Sequence, residues 1–328
     1  MSVWLIVLSS PSASDCCSRI LASSTLSRSL PSPAAFRSLM IPFIMSSYLR
    51  CSRFILPTTP CGSSHASAEA AAAYVVFLPL VEGAFRASLQ GGAGDALELC
   101  VESGDADTPA ACFERALFVG ATESDPFAAI SGVVAAAKSS LRTFRVRAEK
   151  KLPGIVDYFG WCTCDAFYQD VTQEGVETGL RSLIAGGAPP KFVIIDDGWQ
   201  FPKVSPKPGT AEHYRSSMQF PKVSPGVMEN EPGMKTDVLT VQGLGLVHPR
   251  TVYRFYDELH AYLAAAGVDG VKVDVQCILE TLGAGHGGRV QLTRQYHQAL
   301  DASIAKNFPE NGIIACMSHN TDALYWYA

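Results

Sequence analysis

Apolar residues follow two spacings along this chain, and the change comes near Lys151. Between residues 74 and 119 they gather in short runs, at 74–80, 85–90, 96–102 and 112–119, with Gly, Asp and Pro between them. Such runs predict strands, antiparallel ones, with Gly91-Gly92 and Gly104-Asp105 as turns. Residues 126–148 take helical spacing, with Asp125 as N-cap and Pro126 at the first helical position. Beyond Lys151 strand and helix patterns alternate. Strands are predicted at 154–161, 191–196, 268–275 and 312–317, and helices at 172–185, 249–266 and 289–307. That alternation calls for a parallel sheet, open or closed into a barrel.

The central run is 267–286, GVDGVKVDVQCILETLGAGH. Its strand is nearly continuously apolar, as suits burial on both faces. Lys272 and Asp274, two apart, leave the strand on one face. A charged pair on a buried strand is costly unless each charge has a partner. The Lys would keep the Asp ionised, which is what a carboxylate nucleophile needs at neutral pH. The bland alternative is a structural ion pair.

Other polar residues also fall at the C-terminal ends of predicted strands, where barrels and open parallel sheets carry function. These are Trp161 to Asp165, then Asp196-Asp197-Gly198-Trp199, then Ser318-His319-Asn320. Carboxylates, a Lys, an amide and indole rings around one opening suit a sugar, whose hydroxyls need acceptors and whose apolar face packs on an aromatic ring. Gly283-x-Gly285-x-x-Gly288 fits a dinucleotide fingerprint in letters only. It lies eight residues past its strand, so the glycines read better as a tight loop over the barrel mouth.

Two segments break the pattern. Residues 1–66 hold seventeen Ser, five Arg, no Lys and a single acid, Asp15. That composition is either an organelle transit peptide or sequence foreign to the protein, and little stable structure is expected there. The second is 201–235, inside a connection far longer than a normal βα loop. FPKVSP occurs twice in it, at 201–206 and 220–225, as at a rearranged junction. The expected organisation is 1–66 unmatched, 67–125 a β-domain remnant, 126–150 a linking helix, and 151–328 a partial barrel with 201–235 irregular.

A net charge of −5 and a pI near 5.8, without a basic patch, argue against nucleic-acid binding. No apolar run reaches 18 residues, so no membrane partner is expected. Of the ten cysteines, those from Cys100 onward sit in apolar runs as small hydrophobes, and Cys162-x-Cys164 lacks the second pair of a zinc site. A reducing compartment, no metal and no cofactor are the expectation.

The segments KLPGIVDYFGWCTCDAFYQDV, PPKFVIIDDGWQ, VMENEP, GLGLVHP, AGVDGVKVDVQCILETLGAGHGGRVQLTRQYHQALDASIAKNFP and CMSHNTDALY closely resemble the plant raffinose synthase and seed imbibition proteins of glycoside hydrolase family 36. The resemblance spans about residues 74–325. It implies an α/β protein, a (β/α)8 TIM barrel behind an N-terminal β-domain, with retaining chemistry on α-galactosides. By the same resemblance Asp274 is the nucleophile and Lys272, Asp196 and Asp197 contact the galactose. Trp199 and Trp161 belong to the aromatic wall, which is reduced by Cys164 where the family has a second Trp. The implied activity is transfer of α-galactose from galactinol to sucrose, with hydrolysis of raffinose-type sugars as the alternative. The resemblance also places the acid/base Asp beyond residue 328, which implies an impaired enzyme. A non-catalytic galactoside-binding piece and an unstable partial barrel remain open as rivals. The location implied is cytoplasmic, or plastid if the N-terminus is a transit peptide.

Overall fold

A computed structural model describes residues 2–8, 51–56, 74–91, 97–109, 113–122, 125–168, 170–196, 216–223, 228 and 232–326. The N-terminal part is built from seven strands in chain order: β1 (Ser2–Leu8), β2 (Cys51–Leu56), β3 (Tyr74–Pro79), β4 (Val81–Glu82), β5 (Phe85–Gly91), β6 (Leu97–Glu102) and β7 (Phe113–Thr122). They form two antiparallel sheets, ordered β1-β7-β3 and β2-β6-β5-β4. Alternation along β5 and β6 turns Phe85, Ala87, Leu99 and Val101 inward against Phe113 and Leu117 of β7, and this is the core between the sheets.

The two N-terminal strands correct the expectation for residues 1–66. Ser2–Leu8 pairs with β7 and Cys51–Leu56 pairs with β6. Each segment adds a strand to an edge that the other five strands alone would leave unpaired. Cys100, buried at 4% exposure, is disulfide-bonded rather than a free small hydrophobe.

Helix α1 (Pro126–Leu141) begins as the sequence predicts: the Asp125 carboxylate accepts from the Phe127 amide at 2.9 Å. It ends earlier than predicted, because Arg142 turns left-handed at φ 56° and donates back to the Lys138 carbonyl. Val133 and Ala137 of its inner face pack on Phe118 and Leu80.

The second part alternates strand and helix. Its strands are β8 (Gly160–Cys162), β9 (Phe192–Ile194), β10 (Ser216–Gln219), β11 (Leu244–Val247), β12 (Val271–Val273) and β13 (Ile313–Ala315). The helices are α2 (Cys164–Phe167), α3 (Gln173–Ala185), α4 (Val238–Gln242), α5 (Val252–Ala265), α6 (Arg289–Asn307) and α7 (Thr321–Leu324). β8 pairs with β9 and β12 with β13, both parallel, whereas β10 and β11 are antiparallel. The whole is a mixed α/β chain, a β-rich part followed by alternating strands and helices whose described strands pair two by two. Its core lies where Val252 and Tyr256 of α5 meet Leu292, Tyr296 and Leu300 of α6.

Two expectations change here. The segment 201–235 is not irregular throughout: it contains β10. The described part of the second FPKVSP copy, 220–223, is docked, with Pro221 buried and the Lys222 amide donating to the Thr281 carbonyl at 2.7 Å. The first copy lies outside the described residues. Nor is the central strand buried on both faces. Val271 to Val273 are half-buried, since among the described residues β12 has one sheet neighbour.

The glycine loop also serves a different purpose from the one expected. A side chain at Gly288, where φ is +94°, would meet the Ser103 carbonyl at 2.5 Å. The Gly287 amide donates to Asp105 at 3.0 Å. The loop brings backbone against the β-domain.

Candidate functional site

Three charged side chains meet at the C-terminal ends of β9 and β12. Lys272 Nζ lies 2.9 Å from each oxygen of Asp196 and 3.0 Å from Asp274 Oδ2. The first contact joins residues 76 apart in sequence, while the second follows from strand alternation alone. Asp196 is fixed through its backbone. Its amide donates to Thr163 Oγ1 at 3.0 Å, and the Thr163 amide donates to the Ile194 carbonyl at 3.0 Å, so the ends of β8 and β9 are tied together.

Thiols surround the two carboxylates. Cys162 Sγ donates to Asp196 Oδ2 at 3.4 Å, and the Cys164 thiol bonds the same carboxylate. The Cys316 thiol, just past β13, bonds Asp274. Burial, then the adjacent carboxylates, push the Cys164 and Cys316 thiols up, so both stay protonated and act as donors. The other Asp274 oxygen accepts from the Val275 amide at 2.7 Å. Val275 adopts φ 57°, a costly conformation for a β-branched residue, which aims that amide at the carboxylate.

Burial alone would raise the Asp274 carboxyl. Hydrogen bonds from Lys272, Cys316 and the Val275 amide, with the Lys272 charge, instead hold it below the usual carboxylate range. The Asp274 side chain is 32% exposed, against 13% for Asp196 and 18% for Lys272. The ionised carboxylate that an incoming ligand reaches most readily is therefore Asp274. This is the arrangement required of a carboxylate nucleophile.

The remaining sequence-predicted residues divide. Asp197 and Trp199 lie outside the described residues. Trp161 is a correction: neighbours on a strand point to opposite faces, and Cys162 takes the face toward Asp196. Trp161 turns the other way, packing edge-on to Phe167 at 6.1 Å and over Gly179 of α3, where a Cβ would sit 2.4 Å from the indole. Asn320 is likewise occupied, donating to the Cys277 carbonyl and capping α7. Asp322 is fully buried against Arg86, away from the carboxylate pair.

A cavity of about 660 Å³ lies elsewhere, lined by Glu82, Phe85, Asp105, Phe113 and Gln291. Asp105 there is occupied by the Gly287 and Asp107 amides, so the chemistry is placed at the Asp196–Lys272–Asp274 cluster. No group of side chains suited to a metal ion occurs among the described residues, and no described helix is long and apolar enough to cross a membrane.

Comparison with known proteins adds a family match. The model for "Raffinose synthase or seed imbibition protein Sip1" matches residues 51–207 and 203–328. The match begins inside the N-terminal segment expected to be unrelated, at the residue where β2 starts. "Probable galactinol–sucrose galactosyltransferase 6" of Arabidopsis thaliana is 54% identical over 316 residues, covering 77% of this chain and 42% of that protein. "Probable galactinol–sucrose galactosyltransferase 1" of the same plant is 43% identical, covering 83% of this chain and 46% of that protein. The chain thus spans less than half the length of these curated relatives. A solved α-galactosidase from Thermus thermophilus in complex with stachyose aligns at 15% identity over 78% of this chain and 55% of that one. Its TM-score of 0.42 is too low to bear on the fold.

Proposed function

The chain belongs to the raffinose synthase or seed imbibition protein family, and from that premise we propose that it carries the galactose-binding half of a retaining galactosyltransfer site. Asp274 attacks the anomeric carbon of an α-galactoside, the bond to the leaving oxygen breaks, and a β-galactosyl ester forms on the carboxylate. Lys272 keeps Asp274 ionised and donates to a sugar hydroxyl, and Asp196 accepts from one. An acceptor hydroxyl then displaces Asp274, losing its proton to solvent, and the carboxylate is regenerated. With galactinol as donor and sucrose as acceptor the product is raffinose; with water it is free galactose.

The observation that carries this reading is the single ammonium shared by two strand-end carboxylates, with the more exposed carboxylate held ionised. Both Asp196 and Asp274 receive Lys272, so they serve as acceptors and do not supply the proton that a poor leaving group needs. General-acid help is worth about 10²–10⁴-fold. Activated donors should therefore react well ahead of galactinol.

Incubation with a nitrophenyl α-galactoside should release nitrophenolate and leave a hexosyl adduct on the peptide containing Asp274, seen by mass spectrometry. Asp274→Asn should abolish both. An adduct on another residue, or galactinol consumed as fast as the nitrophenyl donor, would overturn the assignment.

A further inference from the structure

A second charged cluster is almost wholly buried where the β-domain meets the barrel segment. Arg86 of β5 reaches Glu102 of β6 at 2.9 Å, Glu280 at 2.6 Å and Asp322 of α7 at 3.4 Å. Arg289, at the start of α6, reaches Glu102 at 2.5 Å. The Arg86, Glu102, Arg289 and Asp322 side chains are less than a tenth exposed, and Glu280 is 21% exposed.

Two guanidinium groups thus face three carboxyls, and one more proton makes the cluster neutral. The geometry shows where that proton belongs. Asp322 Oδ1 is buried and no donor among the described residues reaches it, and Arg86 Nη1 donates both to Glu280 Oε2 at 2.6 Å and to Asp322 Oδ2 at 3.4 Å, which sets the two carboxyls side by side. Two carboxylates placed so repel each other, while a carboxyl and a carboxylate sharing a proton attract. Burial first, and then Glu280, push the Asp322 carboxyl up to about 7, with Arg86 and Arg289 opposing. Other titratable groups of α6 near α7 sit toward Trp326: Arg294 lies over its ring at 4.2 Å, and His297 pairs with Asp301 at 3.4 Å.

The cluster holds both segments that run out of the site. Glu280 lies six residues after Asp274, in the 3-10 turn Gln276–Leu282, and Asp322 lies six after Cys316. The two segments are stitched to each other, the Cys277 amide donating to the Met317 carbonyl at 3.1 Å and Asn320 to the Cys277 carbonyl at 3.0 Å. Arg86, from the other domain, is the group on which their carboxyls converge.

We propose that Arg86 is a positioning residue that clamps the loop after the nucleophile to the β-domain, and that a proton shared by Glu280 and Asp322 keeps the clamp closed. The native state binds this proton more tightly than the unfolded chain, whose Asp titrates near its ordinary 3.8. The clamp is therefore at full strength in acid and weakens as pH rises through about 7. The inference deepens the proposed function by naming what holds the Asp274 loop, but its test does not need turnover.

The test is hydrogen exchange on the intact chain at pH 6 and pH 8.5, read by mass spectrometry as protection relative to an unstructured amide at the same pH. The Cys277 and Ile278 amides, bonded to Met317 and Val275 carbonyls, should lose at least about tenfold protection between the two, an opening of the local kind. Asp322→Asn, which removes the charge at constant size, should keep protection within about twofold across that range. Glu280→Gln, at the most exposed carboxyl of the cluster, should do the same and carries the comparison if Asp322→Asn does not fold. Arg86→Met should leave 276–282 poorly protected at both pH values. Wild-type protection equal at pH 6 and 8.5, or a tenfold loss persisting in the neutralised variants, would overturn the proposal. Absence of a galactosyl adduct with proton-dependent protection intact would sink the proposed function and leave the clamp standing.

Discussion

Replacing Lys272 with Met should expose how much the site depends on one ammonium. The substitution keeps most of the chain's length and deletes contacts of 2.9, 2.9 and 3.0 Å to two carboxylates. Removing one partner of a fully buried ion pair costs about 3–5 kcal/mol. The side chains here are 13% to 32% exposed, so water screens part of that loss, and the expected cost at pH 7 is about 2 kcal/mol.

The pH dependence carries the sharper test. The Asp274 carboxyl is held below its ordinary value in the native state. It therefore contributes stability that is present above the ordinary carboxylate range and is lost as pH falls through the lowered native value. Without Lys272 that contribution largely disappears, so wild type and variant should differ most at neutral pH and converge toward pH 3. Equilibrium urea denaturation at pH 7, 5 and 3 measures this as the shift in midpoint at unchanged slope. A difference that stays constant from pH 7 to pH 3, or one below about 0.5 kcal/mol at pH 7, would refute the argument.

Two further substitutions test the frame around the site. Ser303→Ala should cost about 1–3 kcal/mol, because it orphans buried His260, whose Nδ1 lies 2.8 Å from Ser303 Oγ; a midpoint unchanged in thermal denaturation would contradict it. Gly312→Ala would place a Cβ 2.4 Å from the Asp269 carbonyl. It should cost about 1–3 kcal/mol by forcing β12 and β13 apart, and a variant as stable as wild type would show that the pair yields freely.

What local sequence could decide, it decided well. Asp125 before Pro126 specifies the start of α1, because a cap acts within one turn of its own residue. The Arg289–Asn307 helix matches its predicted span. Lys272 and Asp274 share a face because side chains on a strand alternate with period two. The strand-end position of Asp196 was equally legible, as was the family, from long runs of matching sequence.

Tertiary structure decided what depends on partners far along the chain. The sequence places Trp161 in the aromatic wall, but the pairing of β8 with β9 gives Cys162 the face toward Asp196 and sends Trp161 under α3. The early strands Ser2–Leu8 and Cys51–Leu56 are short apolar runs in a Ser-rich stretch, and the edges of β7 and β6 give them their partners. The glycines at 283–288 looked like a ligand loop and instead admit the Ser103 carbonyl. Arg86 and Asp322 are 236 residues apart, so no window of sequence contains both. Only folding, by burying two guanidinium groups with three carboxyls, makes the proton count of that cluster matter, because a charge excluded from water must find its counter-charge or give itself up.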